Sequence, residues 1–155
     1  MTGIATECED STQCVSACPV NWVEKDKQCY LWSRAPERLK SWDEAEQFCT
    51  SKAGGHLVSV TSKIVNDYLV KEMKKRDIYV IWLGGSDKEE EGVWKWLDCS
   101  SFKDHKFSGW ARNRPSNMSF GKDQDCLQLW LYGWNDNACT WPASFVCSRR
   151  LCPRP

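Results

Sequence analysis

The sequence has no hydrophobic run long enough to cross a membrane and no net charge. No stretch of about 18 apolar residues occurs among its 155 residues, so nothing in this chain is predicted to span a bilayer. Its 21 basic and 21 acidic residues balance, and the whole chain therefore offers no field that would favour nucleic acid. The N-terminus lacks the basic start and apolar core of a signal peptide. We expect it to be the start of a mature chain or of an excised ectodomain.

Sequence signatures of catalysis are also missing. The chain has only two histidines, His56 and His105, and the segment around His105 shows no obvious nucleophile or carboxylate partner. There is no glycine-rich phosphate loop and no nucleophile elbow. We therefore predict a recognition function without enzymatic activity, and nothing in the sequence implies a cofactor.

Cysteine, by contrast, is abundant. Ten cysteines are spread from Cys8 to Cys152, and no pair has the Cys-x-x-Cys spacing that is common in zinc and dithiol redox sites. An even number of scattered cysteines predicts a disulfide framework made in an oxidising compartment. We therefore expect this protein to be secreted or extracellular.

Two helices are predicted, the first from a capping box and from the spacing of its apolar residues, the second from its apolar residues. Ser41 and Glu44 form a capping-box pattern, and apolar residues then recur at helical spacing until Gly54-Gly55. A second helix is predicted from about Ser62 to Arg76. Its expected core-facing residues are Val65, Leu69 and Met73. The basic residues at its C-terminal end suit the helix dipole and need no further function.

Short strands and one long irregular segment make up the rest of the pattern. Strands are predicted at residues 56–60, 79–83, 93–97 and from 126 onward, with a turn at Gly84-Gly85-Ser86. From Asp98 to Gln124 the period is lost, and Ser, Gly, Pro and Asn become frequent. A long irregular segment inside a small domain is uncommon unless it is functional, so the sequence indicates a functional loop here.

Several motifs follow one another between Cys18 and Cys147. They are Ile81-Trp-Leu-Gly-Gly85, Trp94-Lys-Trp-Leu-Asp98, Arg114-Pro115-Ser116 and Trp134-Asn135-Asp136. Together they resemble a C-type lectin-like domain, and the Cys18–Cys29 hairpin resembles the long form of that family. The resemblance implies an α+β fold: two helices pack on two small antiparallel sheets, with a long irregular binding loop, and disulfides stabilise the whole.

The resemblance also implies domain limits and cysteine pairs. Residues 1–17 are expected to form a disulfide-tethered N-terminal extension, residues 18–148 the lectin-like domain, and residues 149–155 a basic C-terminal tail. The implied bridges are Cys18–Cys29, Cys49–Cys147 and Cys126–Cys139. Because the termini lie close together in this fold, Cys8 or Cys14 is expected to pair with Cys152. Cys99 is left for a bridge to a second chain, which would make a covalent dimer.

The family's primary calcium site uses five oxygen-ligand positions, and this chain matches two of them. Asn135 and Asp136 match, whereas Arg114, Ser116 and Gln124 stand where the family usually has carboxylate or amide ligands. Calcium prefers six to eight oxygen ligands, and a guanidinium keeps its positive charge. Arg114 would repel a divalent ion. We therefore predict a degenerate site that binds no metal.

A carbohydrate site in which Arg114 replaces the cation is the function that the resemblance favours. The expected carbohydrate-binding residues are Arg114, Ser116, Asn117, Gln124, Asn135 and Asp136. A basic excess between residues 99 and 122 favours acidic or sulfated glycans, and Arg114 also suits the carbonyl of an N-acetylated sugar. The alternative is a protein-binding receptor or venom-type domain that has lost its sugar site.

Three further features remain open at this stage. Asp87, Glu91 and Asp125 fall where some relatives hold an auxiliary calcium ion, although metal-free relatives carry acidic residues there too. Asn117 begins a glycosylation sequon, and an attached glycan would obstruct a sugar pocket. The aromatic residues that lack a framework role and flank the expected site in sequence are Trp130 and Trp141.

Overall fold

The computed structural model describes residues 14–116, 118–119 and 122–154. In it, two helices begin where the sequence predicts them. Helix α1 spans Trp42–Ser51, and α2 spans Lys63–Lys75. The Ser41 hydroxyl accepts the backbone N–H of Glu44, whose carboxylate accepts the N–H of Ser41, so the capping box is present. Among the described residues, no helix has the length and apolar character needed to cross a membrane.

Ten short strands are present in the described residues. They are β1 (Val23–Lys25), β2 (Gln28–Trp32), β3 (His56–Leu57), β4 (Val80–Ser86), β5 (Lys95–Trp96), β6 (Met118–Ser119), β7 (Lys122–Asp123), β8 (Cys126–Trp130), β9 (Gly133–Asn137) and β10 (Ser144–Arg150). A single 3-10 turn at Phe102–Asp104 lies in the segment between β5 and β6. Much of that segment is irregular, as the sequence indicates.

Strand β10 joins two sheets. It pairs antiparallel with β2 and β3 and parallel with β4, where Ser144 lies opposite Ile81 and Phe145 opposite Trp82. Strand β4 also pairs with β5 and β8, and β9 lies beside β8. The predicted α+β fold with antiparallel-rich sheets is confirmed, and the parallel β4–β10 pairing connects the two sheets.

The predicted turn at Gly84-Gly85-Ser86 is wrong, because these residues complete strand β4. Both glycines are needed for close approach. A Cβ on Gly84 would lie 2.5 Å from the carbonyl oxygen of Leu57, and one on Gly85 would lie 2.6 Å from the ring of Phe102. Glycine here therefore allows neighbouring segments to pack against the strand.

The core explains most of the tryptophans. Six of them are buried: Trp32, Trp42, Trp82, Trp94, Trp96 and Trp134. The buried side chains of α2 are Val65, Leu69 and Met73, in agreement with the predicted helix face. The indole N–H of Trp134 donates to the side-chain oxygen of Asn66 at 2.9 Å and so connects β9 to α2.

Disulfides connect the elements as the resemblance implied. The bridges are Cys14–Cys152, Cys18–Cys29, Cys49–Cys147 and Cys126–Cys139. Cys99 is disulfide-bonded within this single chain, and the described residues include no free cysteine. The prediction that Cys99 bridges to a second chain is therefore wrong, because the sulfur of Cys99 already forms a disulfide. Val15 pairs with Leu151, so sheet contacts continue beyond β10.

Candidate functional site

A hydrogen-bonded group connects the irregular loop to strand β9. The backbone N–H of Ser116 donates to Oδ1 of Asp136 at 2.9 Å, and its hydroxyl donates to Oε1 of Gln124 at 2.6 Å. Nη1 of Arg114 donates to Oγ of Ser116 at 2.8 Å and lies 3.9 Å from Oδ1 of Asp136. These four residues are called the Arg114 cluster below. The structure therefore brings together four of the six predicted carbohydrate-binding residues.

Strand pairing and a docked loop position the cluster. Asp136 lies opposite Leu127 in the β8–β9 hairpin. The loop that carries Arg114 is attached to the same hairpin, because the N–H of Trp134 donates to the carbonyl of Gly109 and the carbonyl of Trp134 accepts the N–H of Ala111. The Arg114–Pro115 peptide bond is cis. Residues far apart in sequence therefore meet at one site.

The cluster combines a buried carboxylate with a partly exposed guanidinium. The side chain of Asp136 is 0% exposed, whereas that of Arg114 is 35% exposed. Gln124 is buried and Ser116 is exposed. A guanidinium has five N–H donors, and Ser116 uses only one of the Arg114 nitrogens. The remaining donors on the exposed side suit a hydroxyl, carbonyl, carboxylate or sulfate oxygen of a ligand.

The Arg114 cluster does not fit the primary calcium ion of the family. The oxygens of Gln124 and Asp136 already accept hydrogen bonds from Ser116. The Arg114 guanidinium supplies the positive charge beside Asp136, and it would repel a divalent cation. A calcium ion would have to displace both groups before it gained these oxygens.

The other two predicted carbohydrate-binding residues are not part of the cluster. Asn135 is 7% exposed, and among the described residues its buried Oδ1 has no hydrogen-bond partner. Its side chain makes no hydrogen bond to Arg114, Ser116, Gln124 or Asp136. Asn117, with its sequon, lies outside the described residues. The roles of Asn117 and Asn135 in sugar binding stay predictions.

The two tryptophans singled out in the sequence lie near the other end of the hairpin. The rings of Trp130 and Trp141 stack with their centroids 5.9 Å apart. Trp130 pairs with Gly133 next to the hairpin turn, whereas Asp136 lies opposite Leu127. Three residues of strand separate the two positions by about 10 Å. The Trp130–Trp141 pair is therefore a separate aromatic surface.

Three carboxylates next to the cluster form a second candidate site. Carboxylate oxygens of Asp87, Glu91 and Asp125 lie within 4.8 Å of one another. Asp87 is only 2% exposed, and its Oδ2 accepts the N–H of Gly92 at 2.9 Å. Burial raises the pKa of Asp87; the Gly92 N–H and a side-chain hydrogen bond with Asp125 oppose this shift, and the Glu91 carboxylate adds to it. Among the described residues, Oδ1 of Asp87 is buried without a hydrogen-bond donor. Converging oxygens of this kind fit a hard cation such as calcium.

His105 has a partner that sequence reasoning missed. Its Nε2 lies 2.9 Å from Oγ of Ser100, and that hydroxyl lies 2.6 Å from Oδ1 of Asp98, which also accepts the N–H of Ser100. The expectation that His105 lacks such a partner is therefore wrong. The serine proton points to Asp98, so His105 can only donate to Ser100. This order differs from a serine nucleophile activated by an imidazole base.

The fold, the disulfides and the loop-borne cluster together define a C-type lectin-like recognition domain. Residues 38–149 match the family model of the Lectin C-type domain. The chain is 35% identical over 145 residues to rat asialoglycoprotein receptor 2, covering 91% of this chain and 44% of that receptor. It is 36% identical over 132 residues to mouse C-type lectin domain family 4 member F, covering 83% of this chain and 23% of that protein. The chain thus spans less than half the length of these relatives.

A solved structure agrees with the sequence relatives. The carbohydrate-recognition domain of the human scavenger receptor C-type lectin is similar with a TM-score of 0.75 and 30% identity, and the match covers 86% of this chain and 99% of that domain. The chain belongs to the C-type lectin domain family.

Proposed function

We propose that this protein is a non-enzymatic carbohydrate-recognition domain whose primary site works without calcium. The observation that carries the proposal is the position of the Arg114 guanidinium, which lies 3.9 Å from the buried Asp136 carboxylate. In this proposal the fixed positive charge of Arg114 takes the place of a calcium ion beside the Trp134-Asn135-Asp136 segment of β9. The similarity to carbohydrate-recognition domains supports the assignment of ligand class.

Each residue of the Arg114 cluster has a distinct role in this proposal. Arg114 donates hydrogen bonds to the ligand through its exposed N–H groups. Asp136 balances the charge of Arg114, and Ser116 holds the guanidinium in place while bonded to Gln124. A planar guanidinium binds carboxylate and sulfate oxygens in a bidentate manner. The favoured ligands are therefore acidic, sulfated or N-acetylated glycans, with Asn117 and Asn135 as further proposed contacts.

We also propose that an auxiliary calcium ion binds Asp87, Glu91 and Asp125. The buried Oδ1 of Asp87 without a described donor supports this site. The ion would neutralise three converging carboxylates. Because Asp125 follows Gln124 directly, the ion would also stabilise the segment that leads from the loop into β8. Its role would be structural support, with sugar contacts left to the Arg114 cluster.

The runner-up function is protein recognition. The observation that favours it is the burial of Gln124, Asn135 and Asp136, which leaves Arg114 and Ser116 as the exposed members among the described predicted sugar contacts. Two exposed residues offer few hydrogen bonds to a single sugar. Recognition of a flat surface on a partner protein would not require a deep pocket at this position.

We propose an extracellular location. The disulfide bridges of this chain require oxidising conditions to form, and several relatives are receptors by name. The proposal is that the domain lies outside the cell, whether the complete protein is secreted or anchored.

A glycan array tests the function. The array includes N-acetylated, sialylated and sulfated glycans and is run in calcium and again in EDTA, with the wild type and with Arg114→Lys. Arg112→Lys is the matched control, since it makes the same substitution at an exposed position of the same loop. The expected result is binding that survives EDTA and falls at least about ten-fold in Arg114→Lys, because lysine lacks the planar fork.

Two other outcomes would overturn the proposal. Binding that Asp87→Asn keeps in calcium and loses in EDTA would contradict independence from calcium at the primary site, because that variant already lacks the proposed auxiliary ion. No binding to any glycan in either buffer would favour the protein-recognition alternative.

A further inference from the structure

A groove unrelated to the Arg114 cluster is lined by helix α2 and by the segments 107–110 and 131–133. Its volume is about 550 Å³. One wall is a face of α2, and the opposite wall carries the aromatic residues Phe107, Trp110 and Tyr132. None of the four residues of the Arg114 cluster lines the groove. We call it the α2 groove.

The helix presents a regular row of charged residues to this groove. Lys63, Asp67, Lys71 and Lys74 all line it, and their spacing of three or four residues places them on one face of α2. A rise of 1.5 Å per residue spreads the row over about 16 Å along the helix axis. The row is therefore long enough to follow an extended ligand.

The charge of the row is positive. Nζ of Lys63 pairs with Oδ2 of Asp67 at 2.6 Å, which neutralises one lysine. Among the described residues, neither Lys71 nor Lys74 has an acidic partner within ion-pair distance. Lys75, one residue further on, does have one, since its Nζ lies 3.9 Å from Oε2 of Glu72. The helix dipole favours lysines at this end, but it does not account for the aromatic wall that faces them.

The aromatic wall has an exposed ring held in place. Tyr132 is 65% exposed. Its ring contacts that of Trp130, with centroids 5.8 Å apart, and Trp130 stacks on Trp141. This packing restricts the Tyr132 side chain before any ligand arrives, and a restricted side chain loses less entropy on binding.

Lysines without acidic partners, in a groove that also presents the exposed ring of Tyr132, match one ligand chemistry well. A sulfated sugar has anionic sulfates that pair with lysines and apolar ring faces that pack on aromatic side chains. An extended polysaccharide would place several sulfates along the row of lysines. The disulfide framework predicts an oxidising, extracellular setting for this encounter.

We propose that the α2 groove is a second glycan site that binds a sulfated polysaccharide, with Lys71 and Lys74 on the sulfates and Tyr132 on a sugar ring. This site is independent of the Arg114 cluster. It requires neither calcium nor the proposed primary site.

Binding of a heparin hexasaccharide to the whole protein tests the site. The affinity is measured by calorimetry in 0.15 M NaCl with EDTA. The variant Lys71→Ala/Lys74→Ala should bind at least about ten-fold more weakly. The control Lys52→Ala/Lys75→Ala removes the same charge at exposed positions outside the groove, and its affinity should stay within about two-fold of the wild type.

Further variants separate this site from general attraction and from the primary site. Tyr132→Ala should weaken binding and Tyr132→Phe should not, because the ring makes the contact. Fully desulfated heparin should fail to compete. Equal losses in the two double variants would overturn the proposal, since only overall charge would then matter. A loss in Arg114→Lys as large as in Lys71→Ala/Lys74→Ala would also overturn it, because the ligand would then occupy the Arg114 cluster. Absence of hexasaccharide binding by the wild type would do the same.

Discussion

Replacing Arg114 by methionine should expose how much the guanidinium stabilises the buried Asp136. Methionine keeps an unbranched apolar stem and removes the charge. In the wild type, Nη1 of Arg114 lies 3.9 Å from Oδ1 of Asp136, whose side chain is 0% exposed. The variant would keep the hydrogen bond from the N–H of Ser116 to this carboxylate and would remove the positive charge of Arg114.

The expected cost lies between the values for exposed and buried ion pairs. Two unit charges at this separation attract by about 4 kcal/mol at an effective dielectric of ~20. Water reaches Arg114, whose side chain is 35% exposed, so only part of that attraction is effective. Exposed pairs contribute about 0–1 kcal/mol, and breaking buried pairs costs about 3–5 kcal/mol. We expect the free energy of unfolding to fall by about 1–3 kcal/mol.

Urea unfolding followed by tryptophan fluorescence measures this change. A loss of about 2 kcal/mol would also lower the thermal midpoint by roughly 4–8 °C for a chain of this size. Arg112→Met is the control, because Arg112 is exposed and has no ion pair among the described residues; its effect should stay within about 0.5 kcal/mol. If Arg114→Met is as stable as this control, the guanidinium does not compensate Asp136, and the account of the degenerate calcium site fails.

Three other predictions concern the acidic group, the core and pH. Calcium at 100 times its dissociation constant should stabilise the wild type by about 2.7 kcal/mol and so raise its thermal midpoint, and it should not do so in Asp87→Asn. An equal shift of the midpoint in both proteins would count against the auxiliary site. Gly109→Ala should destabilise by about 1–3 kcal/mol in urea unfolding, because its Cβ would lie 2.6 Å from the ring of Trp134; a neutral result would show that the loop can move away. Burial raises the pKa of Tyr30, while an unfolded tyrosine ionises near pH 10. Stability should therefore be fully present below about pH 10 and fall as the pH rises above it, and Tyr30→Phe should reduce that fall when unfolding is measured at pH 9 and 11.

Local signals in the sequence were sufficient for the helices. The capping residues Ser41 and Ser62 mark the starts of α1 and α2 because their side chains satisfy N–H groups only a few residues away. The order of the motifs was sufficient to predict the family and, through the family, three of the cysteine pairs. The Gly84-Gly85 pair shows the limit of such reasoning: a glycine needed for a turn and one needed for close packing look the same in sequence, and here Leu57 and Phe102 decide between them.

The candidate sites also combine features that the sequence predicts with features that depend on packing. Residue identity alone indicates that Arg114 cannot ligate calcium, because a guanidinium has no acceptor oxygen and no accessible neutral form. Whether that residue approaches Asp136 and whether Ser116 bonds to Gln124 depend on the docking of an irregular loop against β9. The partner of His105 and the aromatic wall opposite Lys71 depend on packing between segments that are distant in the chain. No local pattern records such contacts, since each results from how complete elements fit together. Sequence therefore defines which chemical groups this domain possesses, and tertiary packing defines which of them meet.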